Sequence, residues 1–378
     1  MANIFDYLTW RGDVPFSVDP FNEVDNLVLS ELAYTDFDGI VPQGGAAVSL
    51  QTVCDAFFAR HTEEELLSLR AYTAKAPLLL RGMLSGERFR DAKLSWYVNE
   101  ISKDQALQLS AVTVLLPNRT AFVAFRGTDG TVVGWKEDFN FSFQSQTEGQ
   151  GRAVAYLNRV GKALDCPIYV GGHSKGGNLA VYAASFCEKE IRERILRVYS
   201  NDGPGFRREI VEKPGYLQIL PKVTRIVPDT SVIGMLMTSK SMPMVVKSAA
   251  SGIAQHDGFS WQVQRNRFEA AELTETGKLL EQTVGGWLEQ MDDDARRTLT
   301  DTVFTLVEST GMEKFSEISA QKLKSAEAML SSLREIPKEN QQEVLSLFTQ
   351  LGQMGGAAAA NYLKNLVRKK TGDDERED

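Results

Sequence analysis

The chain has 378 residues, of which 43% are hydrophobic and 9% aromatic, so it has material for a large core and is not a disordered or collagen-like polymer. Its formal net charge is −8, and half of that sits in the last eight residues, where five acids face one arginine. A folded part so mildly acidic gives nothing that favours nucleic acid, which needs a basic surface, and no nucleic-acid partner is expected. There are only three histidines, His61, His173 and His256. Chemistry that needs imidazole must use one of them, and a multi-histidine metal site would need nearly all of them, so none is expected.

In chain order, Asp19-Pro20 signals a helix start, with Phe21, Val24, Val28 and Leu32 on one face. A second helical stretch runs over residues 46–69. Alternation at Leu94, Trp96 and Val98 predicts a half-buried strand. Residues 105–116 and 120–125 flank a Pro117-Asn118 turn and predict an antiparallel hairpin. The pattern then alternates. Ala153, Leu157, Val160 and Leu164 form a helical stripe; residues 167–171 read as a strand, 178–188 as a helix, and 195–200 and 223–227 as strands. Short apolar runs separated by helices predict an α/β fold with a parallel sheet buried on both faces.

Beyond residue 262 the strand signals stop. Helical spacing recurs at 280–291, at 299–307 after Asp292–Asp294, and over 322–333, 338–351 and 357–367. The expected organisation is therefore an α/β domain over 1–262, an all-α region over 263–368 and a charged tail over 369–378. Cys54, Cys166 and Cys187 are odd in number and form no CxxC pair, which reads as reduced thiols in a cytoplasmic protein. No leader peptide or run of 18 apolar residues is visible. The most apolar window, Ser231–Ala254, is broken by Lys240, Pro243 and Lys247.

The strongest motif is Gly172-His173-Ser174-Lys175-Gly176, between a predicted strand and a predicted helix. This is the context of a nucleophile elbow. The chain turns sharply there, and side chains at the glycine positions would collide with the backbone. The turn raises the Ser174 hydroxyl and brings the Lys175 N–H to a helix N-terminus, where it can stabilise an oxyanion. A hydroxyl nucleophile needs a base. His173 is its chain neighbour and points elsewhere at such a turn, and His61 lies among Glu63, Glu64 and Glu65. His256 follows all the strands and is the expected base. Two aspartates end strands and could orient it: Asp229, preferred because it ends the last strand before His256, and Asp202 as the alternative. Thr128, after the strand that ends in Phe125, is the expected second oxyanion donor, and Asp138 the expected partner of Arg126.

These segments, AFRGTDG with Trp135 and Asp138, GGHSKGGNLA, RIVPDTSV and His256, resemble the class 3 (fungal-type) lipases. NIFDYLTWRGDVPF, FNEVDNLVLSELAY and DFDGIVP resemble more closely a bacterial lipase-like family of unknown function, so that the similarity covers about residues 3–262. The resemblance implies an α/β-hydrolase fold and a Ser–Asp–His triad of Ser174, Asp229 and His256, with Thr128 and the Lys175 N–H as oxyanion hole. The chain departs from class 3 lipases at Lys175, commonly apolar there, and in the loop Asp229-Thr230-Ser231-Val232, where Val-Pro commonly follows the Asp closely; the second departure keeps Asp202 as alternative acid. Met235, Met237, Met242 and Met244 lie between acid and base, in a segment that could form an acyl-binding wall or lid, an ordinary packed helix, or an amphipathic helix in peripheral contact with lipid.

The expected activity is hydrolysis of a carboxylic ester, on a small-molecule or lipid substrate and without metal or organic cofactor. The alternatives are a thioesterase or amidase on the same triad, and a hydrolase-shaped binding or scaffold protein with little turnover.

Overall fold

A computed structural model describes residues 1–68, 72–128, 131–275, 292–294, 296–297, 300–301 and 304. By its contacts the chain forms two units, one of Met1–Asp129 with Ser145–Trp287, the other of Gly130–Gln144 with Leu288–Asp378.

The first unit is built on an eight-stranded sheet whose strands lie in sequence order: β1 (Val48–Ser49), β2 (Lys93–Ser102), β3 (Leu107–Leu115), β4 (Ala121–Phe125), β5 (Ile168–His173), β6 (Ile195–Asn201), β7 (Val223–Pro228) and β8 (Pro243–Val246). β1 to β4 pair antiparallel, and β4 to β8 pair parallel. The predicted hairpin is β3–β4, and the predicted parallel strands are β5, β6 and β7. The alternation predicted for β2 breaks at Trp96, which has φ +57° beside a register shift between Ser95 and Val98. Past residue 262 this unit continues into a short ribbon of β9 (Val263–Gln264) and β10 (Arg267–Phe268), so strand structure extends beyond the expected boundary. Among the described residues no helix is long and apolar enough to cross a membrane.

Helices cover both faces of the sheet. On one side lie Glu148–Ala163 and Lys175–Phe186, the latter against β4, β5 and β6. On the other lies Glu23–Leu32. Its cap is Asn22 rather than the predicted Asp19: the Asn22 side chain accepts from Val24 and Asp25 N–H, while Asp25 accepts from the Asn22 N–H. The sequence predicts one apolar stripe on this helix, but every residue from Val24 to Leu32 is buried. Its polar side chains therefore need partners inside the protein.

Asp25 finds Arg88, whose Nε and Nη2 reach its two carboxylate oxygens at 2.7 and 2.5 Å, and the Tyr7 hydroxyl donates to it at 2.7 Å. Arg88 also donates to the carbonyls of Val14, Asp19 and Pro20, tying the N-terminal loop to this helix. Asn26 exchanges amide hydrogen bonds with Asn201 at the end of β6, at 2.8 and 3.1 Å. Beside this pair, Phe21 stacks on Tyr169 of β5 with centroids 4.3 Å apart.

In the second unit, Val132–Asn140 is a helix capped by the Thr131 hydroxyl. Phe139 and Phe304 meet edge to face at 5.7 Å, and Arg296 donates to the Ser142 carbonyl at 2.6 Å. The described residues between Asp293 and Phe304 are helical, as their Asp-rich start predicts. The other helices expected at 280–291, 322–333, 338–351 and 357–367, and the tail, lie outside the described residues.

Removing one partner of a buried ion pair leaves the other charge uncompensated. Arg88→Ala is expected to lower stability by about 3–5 kcal/mol, measured by chemical denaturation.

Candidate active site

Ser174 follows β5 directly and caps the helix Lys175–Phe186, with φ +58° and ψ −132°. A side-chain-bearing residue rarely adopts such a backbone, and it persists only where the surroundings enforce it. They do so by close approach. A Cβ on Gly172 would collide with Gly176, and one on Gly176 would collide with the Phe125 carbonyl at the end of β4. A Cβ on Gly127 would lie 3.0 Å from the Ser174 Cβ, so the Phe125–Thr128 turn is pressed against the serine. Thr128 is the next residue and is buried. The positive end of the helix that starts at Lys175 is thus directed at Ser174. The Lys175 side chain is buried as well, its Nζ donating to the Gln108 carbonyl and Oε1 at 2.9 and 2.7 Å. Arg126 donates to Asn99 Oδ1 at 3.2 Å.

His256 ends a short 3-10 turn, Gly252–His256. Its Nδ1 lies 2.7 Å from Asp202 Oδ2. The carboxylate only accepts, so Nδ1 carries a proton, and in the neutral form of the ring the lone pair is then on Nε2. The expectation of Asp229 as the acid is corrected here. Asp229 Oδ1 accepts from Gln255 Nε2 at 2.8 Å and from the Thr230 hydroxyl at 3.1 Å, whereas Asp202 is the residue that meets His256.

The reason lies in the strand register. Asn201 pairs with His173 across β5 and β6, so Asp202 emerges one strand away from Ser174. Asp229 follows β7, a strand further on, at roughly 4.8 Å per strand. Asp202 has φ +48°, a conformation that aspartate tolerates and that suits its Asp-Gly turn. The turn signal and the site position coincide in one residue. Burial opposes ionisation of Asp202, but the hydrogen bond and charge of His256 and the Ser231 hydroxyl hold its carboxyl below the ordinary value. Ser231 donates to Asp202 Oδ1 at 2.5 Å and the Gly234 N–H at 3.1 Å.

His173 is fully buried, its ring 4.6 Å from that of His256. Its Nε2 lies 2.7 Å from the His256 carbonyl, which can only accept, so Nε2 carries the proton and Nδ1 accepts from the Tyr34 hydroxyl at 3.0 Å. Burial first, and then the neighbouring His256, push its pKa down to about 3. It is a neutral ring packed against His256. His61 is exposed and lies against Phe57.

Behind His173, Glu31 is fully buried. Neither carboxyl oxygen has a hydrogen-bond partner among the described residues, and Oε1 is 3.6 Å from His173 Nδ1. Burial, then the negative charge of Asp257, push its pKa well above the ordinary value.

The methionine segment forms neither of the two helices expected of it. It contains a 3-10 turn over Ile233–Met235 and strand β8, and no α-helix. Met235 is buried with its sulfur 3.0 Å from Arg225 Nη2, and Met237 has φ +61°. Met242 and Met244 are 88% and 41% exposed. Sequence reasoning missed Tyr34, Glu31, Ser231 and Gln255 as neighbours of the site. Each is an ordinary polar residue, far in sequence from most of what it touches: Glu31 and Tyr34 lie in the FNEVDNLVLSELAY segment, Ser231 beside Asp229 and Gln255 beside His256, and no local pattern marks them as site neighbours.

A Gly-x-Ser-x-Gly elbow on a mostly parallel sheet, with helices on both faces and an Asp–His pair at the same strand ends, defines a lipase-like α/β-hydrolase scaffold. Among known proteins, the Mbeg1-like family matches residues 83–305, and the chain belongs to that family. A comparison with curated proteins gives no match. Similar solved structures include M37 lipase, 18% identical over 47% of this chain and 70% of its own, with a TM-score of 0.32. They also include native Rhizomucor miehei lipase in its propeptide complex, 15% identical over 53% and 70% of the two chains, TM-score 0.35. A third is a mutant form of MDLA from Penicillium cyclopium, 12% identical over 67% and 87%, TM-score 0.34.

The two buried groups give stability opposite pH dependences. His173 stays neutral in the folded state while the unfolded chain takes up its proton, so stability falls from about pH 6.5 down to about pH 3, by roughly 1.4 kcal/mol per unit. Glu31 holds its proton to higher pH in the folded than in the unfolded state, so its contribution is full below the unfolded carboxylate pKa and is lost as pH rises. Glu31→Gln is therefore expected to shrink the fall in melting temperature between about pH 5 and about pH 8. His173→Gln, which keeps a donor for the His256 carbonyl, is expected to shrink the fall between about pH 6.5 and about pH 4. Melting curves of the two variants across this range check both signs.

Proposed function

We propose that the protein is a serine hydrolase acting on carboxylic esters, with Ser174 as nucleophile, His256 as general base and Asp202 as the acid. The 2.7 Å contact of His256 Nδ1 with Asp202, one strand from an elbow serine, carries this reading. It leaves His256 Nε2 with the lone pair that a base requires.

His256 takes the Ser174 proton as the hydroxyl oxygen attacks the ester carbonyl carbon. The carbonyl oxygen becomes an oxyanion, met by the N–H groups of Thr128 and Lys175 and by the positive end of the elbow helix. Asp202, ionised by its hydrogen bonds, stabilises the imidazolium. Collapse of the tetrahedral intermediate breaks the bond to the alcohol, which leaves with the proton from His256. Water then gives a proton to His256 as it attacks the acyl-serine, and the acid departs as Ser174 recovers its proton. Every step closes with groups of this chain, the ester and water.

The full chain is expected to react with a fluorophosphonate probe and to hydrolyse p-nitrophenyl butyrate, and Ser174→Ala to abolish both. Asp202→Asn is expected to lower kcat by about 10⁴-fold, because an amide favours the wrong imidazole tautomer. Folded wild-type protein that neither labels nor turns over would favour the scaffold reading. Turnover of acyl-CoA in preference to esters would move the substrate class to thioesters.

A further inference from the structure

Asp229 does not touch His256, yet it is bound to the residue before it. Gln255 is buried, and its side-chain amide grips the loop after β7 at two points. Oε1 accepts the Thr230 N–H at 2.8 Å, and Nε2 donates to Asp229 Oδ1 at 2.8 Å. The Gln255 carbonyl in turn accepts the indole N–H of the fully buried Trp261 at 2.8 Å. One residue along the same loop, Ser231 donates to Asp202 Oδ1 at 2.5 Å, and Asp202 Oδ2 meets His256 Nδ1 at 2.7 Å.

These contacts close a ring. From the His256 imidazole it passes to Asp202, to Ser231, along the backbone to Thr230 and Asp229, across to the Gln255 amide, and by one peptide bond back to His256. The ring matters because His256 stands on a five-residue 3-10 turn, an element with weak internal hydrogen bonding. Such a turn cannot by itself hold an imidazole to the tolerance that proton transfer needs.

We propose that Gln255 and Asp229 form a clamp that positions His256 against Asp202. The carboxylate of Asp229 acts as the acceptor that orients the Gln255 amide, not as the acid of the triad. The proposal rests on the reading of Ser174, His256 and Asp202 as a triad, and its test separates the two.

The chemistry discriminates among variants. Asp229→Asn keeps an acceptor oxygen for Gln255 Nε2, whereas Asp229→Ala removes it. Gln255→Met keeps the volume and loses both hydrogen bonds, and Gln255→Glu sets carboxylate against carboxylate. On p-nitrophenyl butyrate, Asp229→Ala, Gln255→Met and Gln255→Glu are expected to lower kcat by about 10–100-fold with KM little changed, the scale of a misplaced catalytic group. Asp229→Asn is expected to stay within about 3-fold of wild type, unlike Asp202→Asn at about 10⁴. With only three histidines in the chain, labelling histidine with ¹³C and ¹⁵N gives a sparse spectrum that reports His256 without any turnover. The His256 ring signals are expected to shift and its Nδ1–H to exchange faster in Gln255→Met and Asp229→Ala, and to remain in place in Asp229→Asn.

Wild-type kcat and unmoved His256 signals in Gln255→Met and Asp229→Ala would overturn the clamp. So would a loss in Asp229→Asn as deep as that in Asp202→Asn, which would make Asp229 the acid. If the wild type proves inert, the triad reading fails by itself, and the histidine spectra still decide whether the clamp holds His256. Should an alanine variant not fold, Gln255→Glu and Asp229→Asn supply the same contrast.

Discussion

The carboxyl end of the sheet depends on one polar contact, the reciprocal amide pair of Asn26 and Asn201. The Asn201 Nδ2 also donates to Ser30 Oγ and to the Gly172 carbonyl, so one side chain joins a buried helix, β6 and the approach to the elbow. Asn201 immediately precedes Asp202, and Gly172 lies two residues before Ser174. A buried amide left without partners costs about 1–3 kcal/mol for each unsatisfied group, so helix and strands have one register in which all are satisfied. That register sets where Asp202 and Ser174 emerge.

The same helix carries the other polar groups under the site. Glu31 faces His173, and Tyr34, just beyond the helix end, orients the His173 ring. A helix with one polar face commonly turns it to water. Here that face is directed inward, and its side chains are paired with the chain segments that carry the proposed chemistry. Glu31 is the exception, a carboxyl whose ionisation is opposed by burial and by Asp257. Burial thus separates the two adjacent histidines: His173 is held neutral as a hydrogen-bond donor to the backbone, while His256 Nδ1 meets the carboxylate of Asp202.

Much of this was legible in the sequence through local physics. The glycines at 172 and 176 announced a turn without room for side chains, and the close approach of Phe125 and Gly176 is the reason they are required. The hairpin β3–β4 and the strands β5 to β7 followed from apolar runs and turn residues. With three histidines in the chain, His256 followed by elimination. The choice between Asp202 and Asp229 failed because chain order counts strands in sequence, while contact depends on which strand lies next to β5. Strand β8 and the open methionine segment escaped for a related reason. Methionine suits a helix or a pocket wall equally, and pairing with β7 decided the matter.

The sequence by itself determined the elbow and the α/β class and singled out His256 as the candidate for a base, because these rest on steric rules and on residue scarcity rather than on long-range contacts. Only the tertiary structure decided which aspartate meets His256, which polar residues are buried, and that Asp229 and Gln255 grip one another. Those outcomes depend on strand adjacency and on the pairing of buried polar groups across separations of up to 175 residues, which no local pattern encodes.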